Sequence, residues 1–82
     1  MERMAGGKPV ARNTEFFKKL KNHGSSGGKA VYTDENGFFY TWDSWHGEWE
    51  KFSRRGEHIG ALDENGVPIK EAVKGRHINV WI

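Results

Sequence analysis

The segment from Tyr40 to Glu50 holds the densest group of side chains that could do chemistry. Asp43, His46, Glu48 and Glu50 fall within eight residues of one another. The last three recur at every second position, which is the spacing that brings side chains to one face of an extended chain. This face could be a catalytic array. The pattern taken alone favours the solvated side of a half-buried strand, where such alternation is normal.

Aromatic residues alternate with these polar ones and are expected to anchor the segment. Trp45 and Trp49 should point away from the acidic face and into the core. Tyr40 and Trp42 could either stack on a nucleobase or fill the core, and their strand positions favour the core.

A carboxylate, a histidine and an arginine together suit cleavage of an RNA phosphodiester by its own 2′-hydroxyl. That reaction needs a base for the hydroxyl, an acid for the departing 5′-oxygen and a cation for the charged phosphorane. Histidine exchanges protons near neutral pH, and an adjacent carboxylate favours its charged form. Arg76 could supply the cation and bind phosphate bidentately, provided that the C-terminal strand lies beside the central one.

Other functional classes remain open. His46, Glu48 and Glu50 could be metal ligands of a nuclease, although a convincing ligand set is lacking, and EDTA would discriminate. A noncatalytic RNA-binding module would use the same aromatic strands and basic residues but has no need for acids on its binding face. An immunity or antitoxin partner is expected to be acidic, whereas this chain has a formal charge of +2.

The elements that position these residues must fit into a small domain, because 82 residues are too few for two cores. Only 35% of the residues are apolar and the mean hydropathy is -0.83, so the core depends on four Trp, five Phe and two Tyr. The chain has no cysteine for disulfides or thiolate metal sites, and no apolar run long enough to span a membrane. The pI near 9.0 is compatible with a polyanionic partner but does not require one.

The first part of the chain predicts little regular structure. Residues 1–12 contain Gly6-Gly7, Lys8-Pro9 and little apolar content, which predicts a flexible leader or linker stub before a single domain over 13–82. Asn13 or Thr14 can cap one short helix that places Phe16, Phe17 and Leu20 on one side. The glycine- and serine-rich stretch 23–28 is predicted to be a flexible connector.

Everything after residue 28 has the pattern of β-structure. Asn36-Gly37 and Asn65-Gly66 each lie between aromatic or β-branched runs and predict hairpin turns. The strands are predicted at 29–33, 38–42, 48–53, 58–62, 67–70 and 77–82. The sequence therefore predicts an α+β fold, with a short N-terminal helix followed by a highly twisted antiparallel sheet of five to six strands.

From Tyr40 to the C-terminus, about half of the chain, the sequence resembles the cytotoxic ribonuclease domain of ribosome-inactivating colicins and cloacin. The shared motifs are Tyr-x-Trp-Asp-Ser-x-His-Gly-Glu-x-Glu, His-Ile-Gly-Ala-Leu-Asp, Asn-Gly and a final Lys-Gly-Arg-x-Ile. The resemblance implies cleavage of 16S ribosomal RNA at the decoding site without a cofactor. It also implies a cognate acidic immunity protein and delivery, as part of a larger toxin, into the cytoplasm of a target bacterium. That larger protein could also be a contact-dependent or other polymorphic toxin. We expect no DNA substrate, no stable membrane association and a monomer apart from the inhibitor complex.

The resemblance assigns the catalytic positions to Asp43, His46, Glu50 and Arg76. Glu50 is then the base, His46 the acid, Arg76 the phosphorane stabiliser and Asp43 the residue that orients His46, although base and acid could be exchanged. We expect no residue of this site to bind a metal ion. The expected substrate-binding residues are Tyr40, Trp42, Glu48, Arg54, Arg55, His58, Lys70 and Lys74.

One departure from the family pattern concerns charge. The family carries a dense Lys/Arg cluster before the first long strand, whereas this chain has Gly-Gly-Lys-Ala-Val-Tyr-Thr-Asp-Glu, with one lysine and two acids. Phosphate contacts are therefore expected elsewhere, and a tRNA or another RNA remains an alternative target. The candidate cations are Lys18, Lys19, Lys21, Arg54, Arg55 and Lys70.

Overall fold

The computed structural model describes residues 7–82, which form one short helix and a six-stranded antiparallel sheet. Each strand pairs with the next along the chain, so the strand order is sequential from β1 to β6. Among these residues, no helix has the length and apolar character needed to cross a membrane. The elements are α1 (Glu15–Lys18), β1 (Lys21–Ser26), β2 (Lys29–Thr33), β3 (Phe39–Asp43), β4 (Glu48–Phe52), β5 (His58–Leu62) and β6 (Pro68–Glu71).

Both predicted Asn-Gly turns connect neighbouring strands. Each begins with an aspartate, Asp34 or Asp63, whose Oδ1 accepts backbone N–H groups two and four residues later at 2.8–3.0 Å. The glycines Gly37 and Gly66 have φ of 88° and 86°, which a residue with a side chain adopts only at a cost. These turns set the register of β2 with β3 and of β5 with β6.

The helix begins where the sequence predicts but is short. Thr14 caps it, since its side-chain oxygen accepts the N–H of Phe17 at 3.0 Å. A helix of four residues has no stability by itself, so the packing of its aromatic residues must hold it. The ring of Phe16 lies 5.3 Å from Tyr40, and that of Phe17 lies 5.3 Å from Tyr32, both edge to face.

The stretch 23–28, predicted to be a connector, is mostly strand β1, and that prediction is wrong. Residues 21–26 pair with β2, and Gly27 and Gly28, at φ of 59° and 82°, make the turn between them. Two consecutive residues with positive φ match the twist of a tight hairpin. The strand shows no apolar alternation, because its residues are small or polar and none of them is buried.

The predicted final strand 77–82 is also wrong. The segment makes a single bridge, between His77 and Glu57, and a backbone bond from Ile78 N–H to Gly56 O at 2.8 Å. It then crosses the sheet, where Val80 is buried and its carbonyl accepts from His23 Nε2 at 3.0 Å. Ile78 and Val80 cover a face of the sheet instead of extending the ladder.

The sheet has two differently composed faces. One face packs against the helix and carries the larger aromatic cluster, formed by Tyr32, Tyr40, Trp42, Trp49 and Leu62. The other face is apolar only in part, where the C-terminal segment covers it, and that cluster contains Val31, Phe39, Phe52 and Val80. The remainder of the second face carries the buried acids Glu48 and Glu50.

Residues 8–12, which the sequence assigned to a flexible leader, pack onto the sheet. Lys8 donates its N–H to Ser44 O at 2.7 Å, and its own carbonyl accepts from Trp42 Nε1 at 2.8 Å. Val10 and Ala11 lie against the aromatic cluster. The rest of the predicted leader, residues 1–6, lies outside the described residues.

Candidate active site

The four residues predicted to be catalytic meet in one cleft on the acidic face of the sheet. The cleft has a volume of about 330 Å³ and lies between the ends of β3 and β4, strand β5 and the segment that follows β6. Its lining includes Asp43, His46, Glu48, Glu50, His58, Lys70, Glu71, Val73 and Arg76.

Asp43 ends β3 and fixes the turn that carries His46. Its Oδ1 accepts the backbone N–H groups of Trp45 at 2.9 Å and His46 at 3.2 Å, while Oδ2 lies 2.7 Å from Nδ1 of His46. Burial by itself raises the pKa of Asp43, but the hydrogen bonds from His46 and the two backbone N–H groups outweigh it and lower that pKa. The imidazole keeps Nε2 for a ligand, and 53% of the side chain is exposed.

The turn changes the predicted positions of His46 and Trp45. Residues 44–47 form a turn between β3 and β4, so the period of two does not extend back from Glu48 to His46. Trp45 is 75% exposed, and the prediction that it faces the core is wrong, whereas Trp49 is fully buried as predicted. His46 reaches the cleft through the turn and not from a strand.

Glu50 lies at the buried end of the cleft, with its side chain 5% exposed. Val73 N–H donates to Nδ1 of His58 at 2.9 Å, so the proton of the neutral imidazole is on Nε2. Nε2 then donates to Oε1 of Glu50 at 2.6 Å, and Arg76 Nη2 lies 3.5 Å from the same oxygen. Within residues 7–82 no hydrogen bond reaches Oε2, which leaves that oxygen available to a substrate.

Arg76 reaches the cleft without the C-terminal strand that the sequence prediction required. Its carbonyl accepts the N–H of His58 at 2.8 Å, and the bridge between Glu57 and His77 holds the next residue. Gly56 permits this approach, because a Cβ at that position would overlap the carbonyl oxygen of Ile78. Two backbone hydrogen bonds, from His58 N–H to Arg76 O and from Ile78 N–H to Gly56 O, form this bridge and take the place of a ladder.

Glu48 is paired inside the protein. Its side chain is buried, and Oε2 accepts from Lys70 Nζ at 2.9 Å. Potential ligand atoms of Asp43, His46 and Glu48 lie within 4.8 Å of one another, so a metal set would contain Asp43 in place of Glu50. A cation there would compete with the Lys70 ammonium and with the Asp43–His46 hydrogen bond, and the arrangement therefore favours ion pairs within the protein.

Tyr40 and Trp42, included among the expected substrate-binding residues, lie on the opposite face of the sheet. Both are buried in the aromatic cluster, as the core interpretation predicts. The Tyr40 hydroxyl donates to Oδ2 of Asp34 at 2.6 Å, and burial together with that carboxylate raises the pKa of Tyr40. Neither ring lines the cleft.

The remaining predicted cations divide into two groups. Arg54 donates to Asn36 O at 2.8 Å and covers the ring of Phe38, away from the cleft. Arg55 and Lys74 line a neighbouring cavity that shares His58 and Arg76 with the cleft. Sequence reasoning missed the Val73 N–H and His77. The only sequence signal for His77 is that it directly follows Arg76.

A protein-family model described as Cytotoxic matches residues 8–79. The chain belongs to the colicin and cloacin cytotoxic ribonuclease family. A comparison with curated proteins gave no match. The family match includes the helix, β1 and β2, which precede the motifs quoted from Tyr40 onward. This cytotoxic domain is therefore a toxin nuclease domain, which in general implies an RNA substrate and an immunity protein.

Proposed function

We propose that this cytotoxic domain is a metal-independent endoribonuclease that cleaves 16S ribosomal RNA at the decoding site and thereby halts translation. One observation carries the proposal. A single cleft contains a buried carboxyl group with one unengaged oxygen, an exposed imidazole held by a carboxylate, and a guanidinium. The residues are Glu50, the His46–Asp43 pair and Arg76.

Glu50 and His46 divide the proton transfers. Oε2 of Glu50 removes the proton from the 2′-hydroxyl, whose oxygen attacks phosphorus. The bond from phosphorus to the 5′-oxygen breaks, and Nε2 of His46 gives that oxygen a proton. The products are a 2′,3′-cyclic phosphate and a 5′-hydroxyl. Asp43 Oδ2 lies 2.7 Å from Nδ1 of His46, which orients the ring and leaves Nε2 to face the leaving oxygen, as the role of acid requires.

Arg76 and His58 support the reaction in different ways. The guanidinium of Arg76 carries a permanent charge and can bind two oxygens of the phosphorane at once. His58 fixes Oε1 of Glu50 by donating to it, and the Val73 N–H fixes the tautomer of His58. His58 is a positioning residue, because its ring is buried and both of its nitrogens are engaged within the protein.

The choice of target and partners rests on the family. We infer that the domain reaches the cytoplasm of a target bacterium as part of a larger secreted toxin. We also infer that a cognate acidic immunity protein blocks it in the producing cell. The formal charge of +2 is complementary to such an inhibitor and to RNA.

The proposal is tested by incubating the domain with 70S ribosomes and mapping 16S cleavage by primer extension. Glu50→Gln and His46→Gln should each abolish the decoding-site stop. Glu35→Gln, which makes the same amide change in an exposed turn, should leave it intact. Full cleavage by either active-site variant would refute the assigned roles. Intact ribosomes with cleaved tRNA would overturn the target and retain the chemistry.

Metal independence needs a separate substrate, because the ribosome itself requires Mg²⁺. A decoding-site RNA should be cut by the wild-type domain in EDTA, with a 2′,3′-cyclic phosphate end. Cleavage that appears only after Zn²⁺ or Mn²⁺ is added would contradict metal independence and would favour the group formed by Asp43, His46 and Glu48 as ligands.

A further inference from the structure

A second cavity adjoins the catalytic cleft. Its volume is about 550 Å³, and its lining includes both His58 and Arg76, which also line the cleft. Its walls are the β4–β5 turn and the segment that follows β6. A chain bound at the scissile position can therefore continue into this cavity past Arg76.

The cavity is strongly basic for its size. Its lining contains two guanidinium groups, one ammonium group and one imidazole against a single acid, Glu57; the basic residues are Arg55, Lys74, Arg76 and His77. Within residues 7–82, neither Arg55 nor Lys74 lies within 4 Å of a carboxylate. A concavity lined with one sign of charge focuses the electric field and attracts a counter-charged group.

The backbone holds the two walls together, so their positions are set before any ligand binds. Ser53 Oγ accepts the N–H groups of Arg55 at 3.2 Å and Glu57 at 3.1 Å, which fixes the turn. His58 N–H donates to Arg76 O, and Ile78 N–H donates to Gly56 O, both at 2.8 Å. Cations on such a frame lose little backbone freedom when they bind an anion.

We infer that this cavity is a second phosphate subsite, which binds a backbone phosphate of RNA next to the scissile one. Arg55 and Lys74 neutralise that phosphate, while Arg76 stands between the two subsites. The inference rests on the proposed function for the identity of the polyanion. It also explains how this chain grips RNA although Lys29 is the single cation in the stretch from Gly27 to Glu35, where the family has a basic cluster.

Binding is tested with a decoding-site oligonucleotide whose 2′-positions are methylated, so that it cannot be cleaved. The double variant Arg55→Gln/Lys74→Gln should raise Kd about tenfold at 0.1 M salt. Loss of one phosphate contact should lower the slope of log Kd against log salt by about 0.7. Arg12→Gln/Lys29→Gln removes the same charge from exposed positions outside the cavity and should change both values much less. Equal effects of the two double variants would overturn the subsite.

A second measurement locates the phosphate. A series of oligonucleotides is prepared, each with a single neutral methylphosphonate at a different position. The wild type should bind weakly to the oligonucleotide whose substitution is adjacent to the cleavage point. The Arg55→Gln/Lys74→Gln variant should not distinguish that position from its neighbours. If the penalty persists in the variant, the phosphate binds elsewhere and the inference is wrong.

Cleavage kinetics separate this inference from the proposed function. The double variant should raise KM for ribosomal RNA and leave kcat unchanged, because its residues do not touch the reacting atoms. A wild-type domain that binds RNA through Arg55 and Lys74 but cuts no RNA would refute the function and keep the subsite. Normal cleavage with an unchanged KM in the variant would refute the subsite and keep the function.

Discussion

Replacing His58 by phenylalanine tests how the cleft holds its carboxyl group. The two rings have similar size, so the packing against Phe52, whose ring centre lies 5.4 Å away, is preserved. Two hydrogen bonds are lost, from Nε2 to Glu50 at 2.6 Å and from Val73 N–H to Nδ1 at 2.9 Å. The substitution therefore removes polar contacts with little change in volume.

The expected loss of stability follows from the burial of the two partners. Removing the donor to a buried carboxyl group costs about 2 kcal/mol. The Val73 N–H is only partly buried, so losing its acceptor costs about 1 kcal/mol. The total of about 3 kcal/mol is a large part of the 5 to 15 kcal/mol typical of a domain. Cleavage should fall strongly as well, because Oε1 of Glu50 is no longer fixed.

Urea unfolding followed by tryptophan fluorescence measures this loss, since Trp49 is buried in the core. With an m-value of about 1 kcal/mol/M for a domain of this size, His58→Phe should lower the urea midpoint by about 3 M. His58→Gln can still donate to Glu50 and should lose about 1 kcal/mol, while His58→Asn can accept from Val73 and should lose about 2 kcal/mol. The cleavage activity should be higher for His58→Gln than for His58→Asn, because only the glutamine can still donate to Glu50.

His23→Phe is the matched control, because His23 donates to Val80 O at 3.0 Å on another part of the sheet. It should cost about 1 kcal/mol and leave kcat unchanged. A urea midpoint for His58→Phe equal to that of the wild type would refute the reasoning. So would equal activities for His58→Gln and His58→Asn, because the contact with Glu50 would then not position the base.

Three further changes have expected outcomes. Because the pKa of Asp43 is lowered in the folded state, its carboxylate stabilises the fold at pH values above its unfolded-state pKa of about 3.9. This stabilisation is lost as the pH falls through the folded-state pKa. The stability of Asp43→Asn should therefore depend less steeply on pH below about 4. Lys70→Met leaves Glu48 without its 2.9 Å partner and should cost about 1 kcal/mol, an amount kept small because Lys70 is 53% exposed and screened by solvent. Gly56→Ala should cost about 3 kcal/mol and lower activity, because the new Cβ meets the Ile78 carbonyl and φ is 90°.

Each of these changes has its own measurement and control. Circular dichroism across the acid range checks Asp43→Asn, and a curve parallel to that of the wild type contradicts the assignment. Denaturation at low and high salt checks Lys70→Met, whose effect should shrink in salt. Gly27→Ala controls for Gly56→Ala, because it has φ of 59° and an open environment and should cost only about 1 kcal/mol. Equal costs at the two glycines would show that the approach of Ile78 does not matter.

Sequence reasoning was most accurate where a structural rule acts over a few residues. The two Asn-Gly turns, the Thr14 cap and the strands from residue 29 to residue 71 are local features, and the structure confirms them. The alternation with a period of two correctly predicted that Trp49 is buried. The same alternation was also applied across the turn at 44–47, and for that reason it predicted the wrong position for Trp45. A period has meaning only while the chain stays extended.

The edges of the fold carried no local signal. Strand β1 is made of small and polar residues and forms because it pairs with β2. No pattern within β1 predicts this pairing. The segment from His77 to Ile82 has the composition of a strand, yet it covers apolar side chains across the face of the sheet. Val80 is buried there, whereas Trp81 is 87% exposed, so composition did not show which of these apolar residues are buried.

The sequence by itself determined that Asp43, His46 and Glu50 lie near one another, because they fall within eight residues of the chain. The family resemblance also named His58 and Arg76, but only the tertiary structure decided how these two residues reach the cleft. His58 meets Glu50 through the pairing of β4 with β5, and Arg76 arrives through backbone bonds to the β4–β5 turn and the start of β5. Contacts between residues so distant in sequence depend on how the strands align, and that alignment is settled by the packing of the whole sheet.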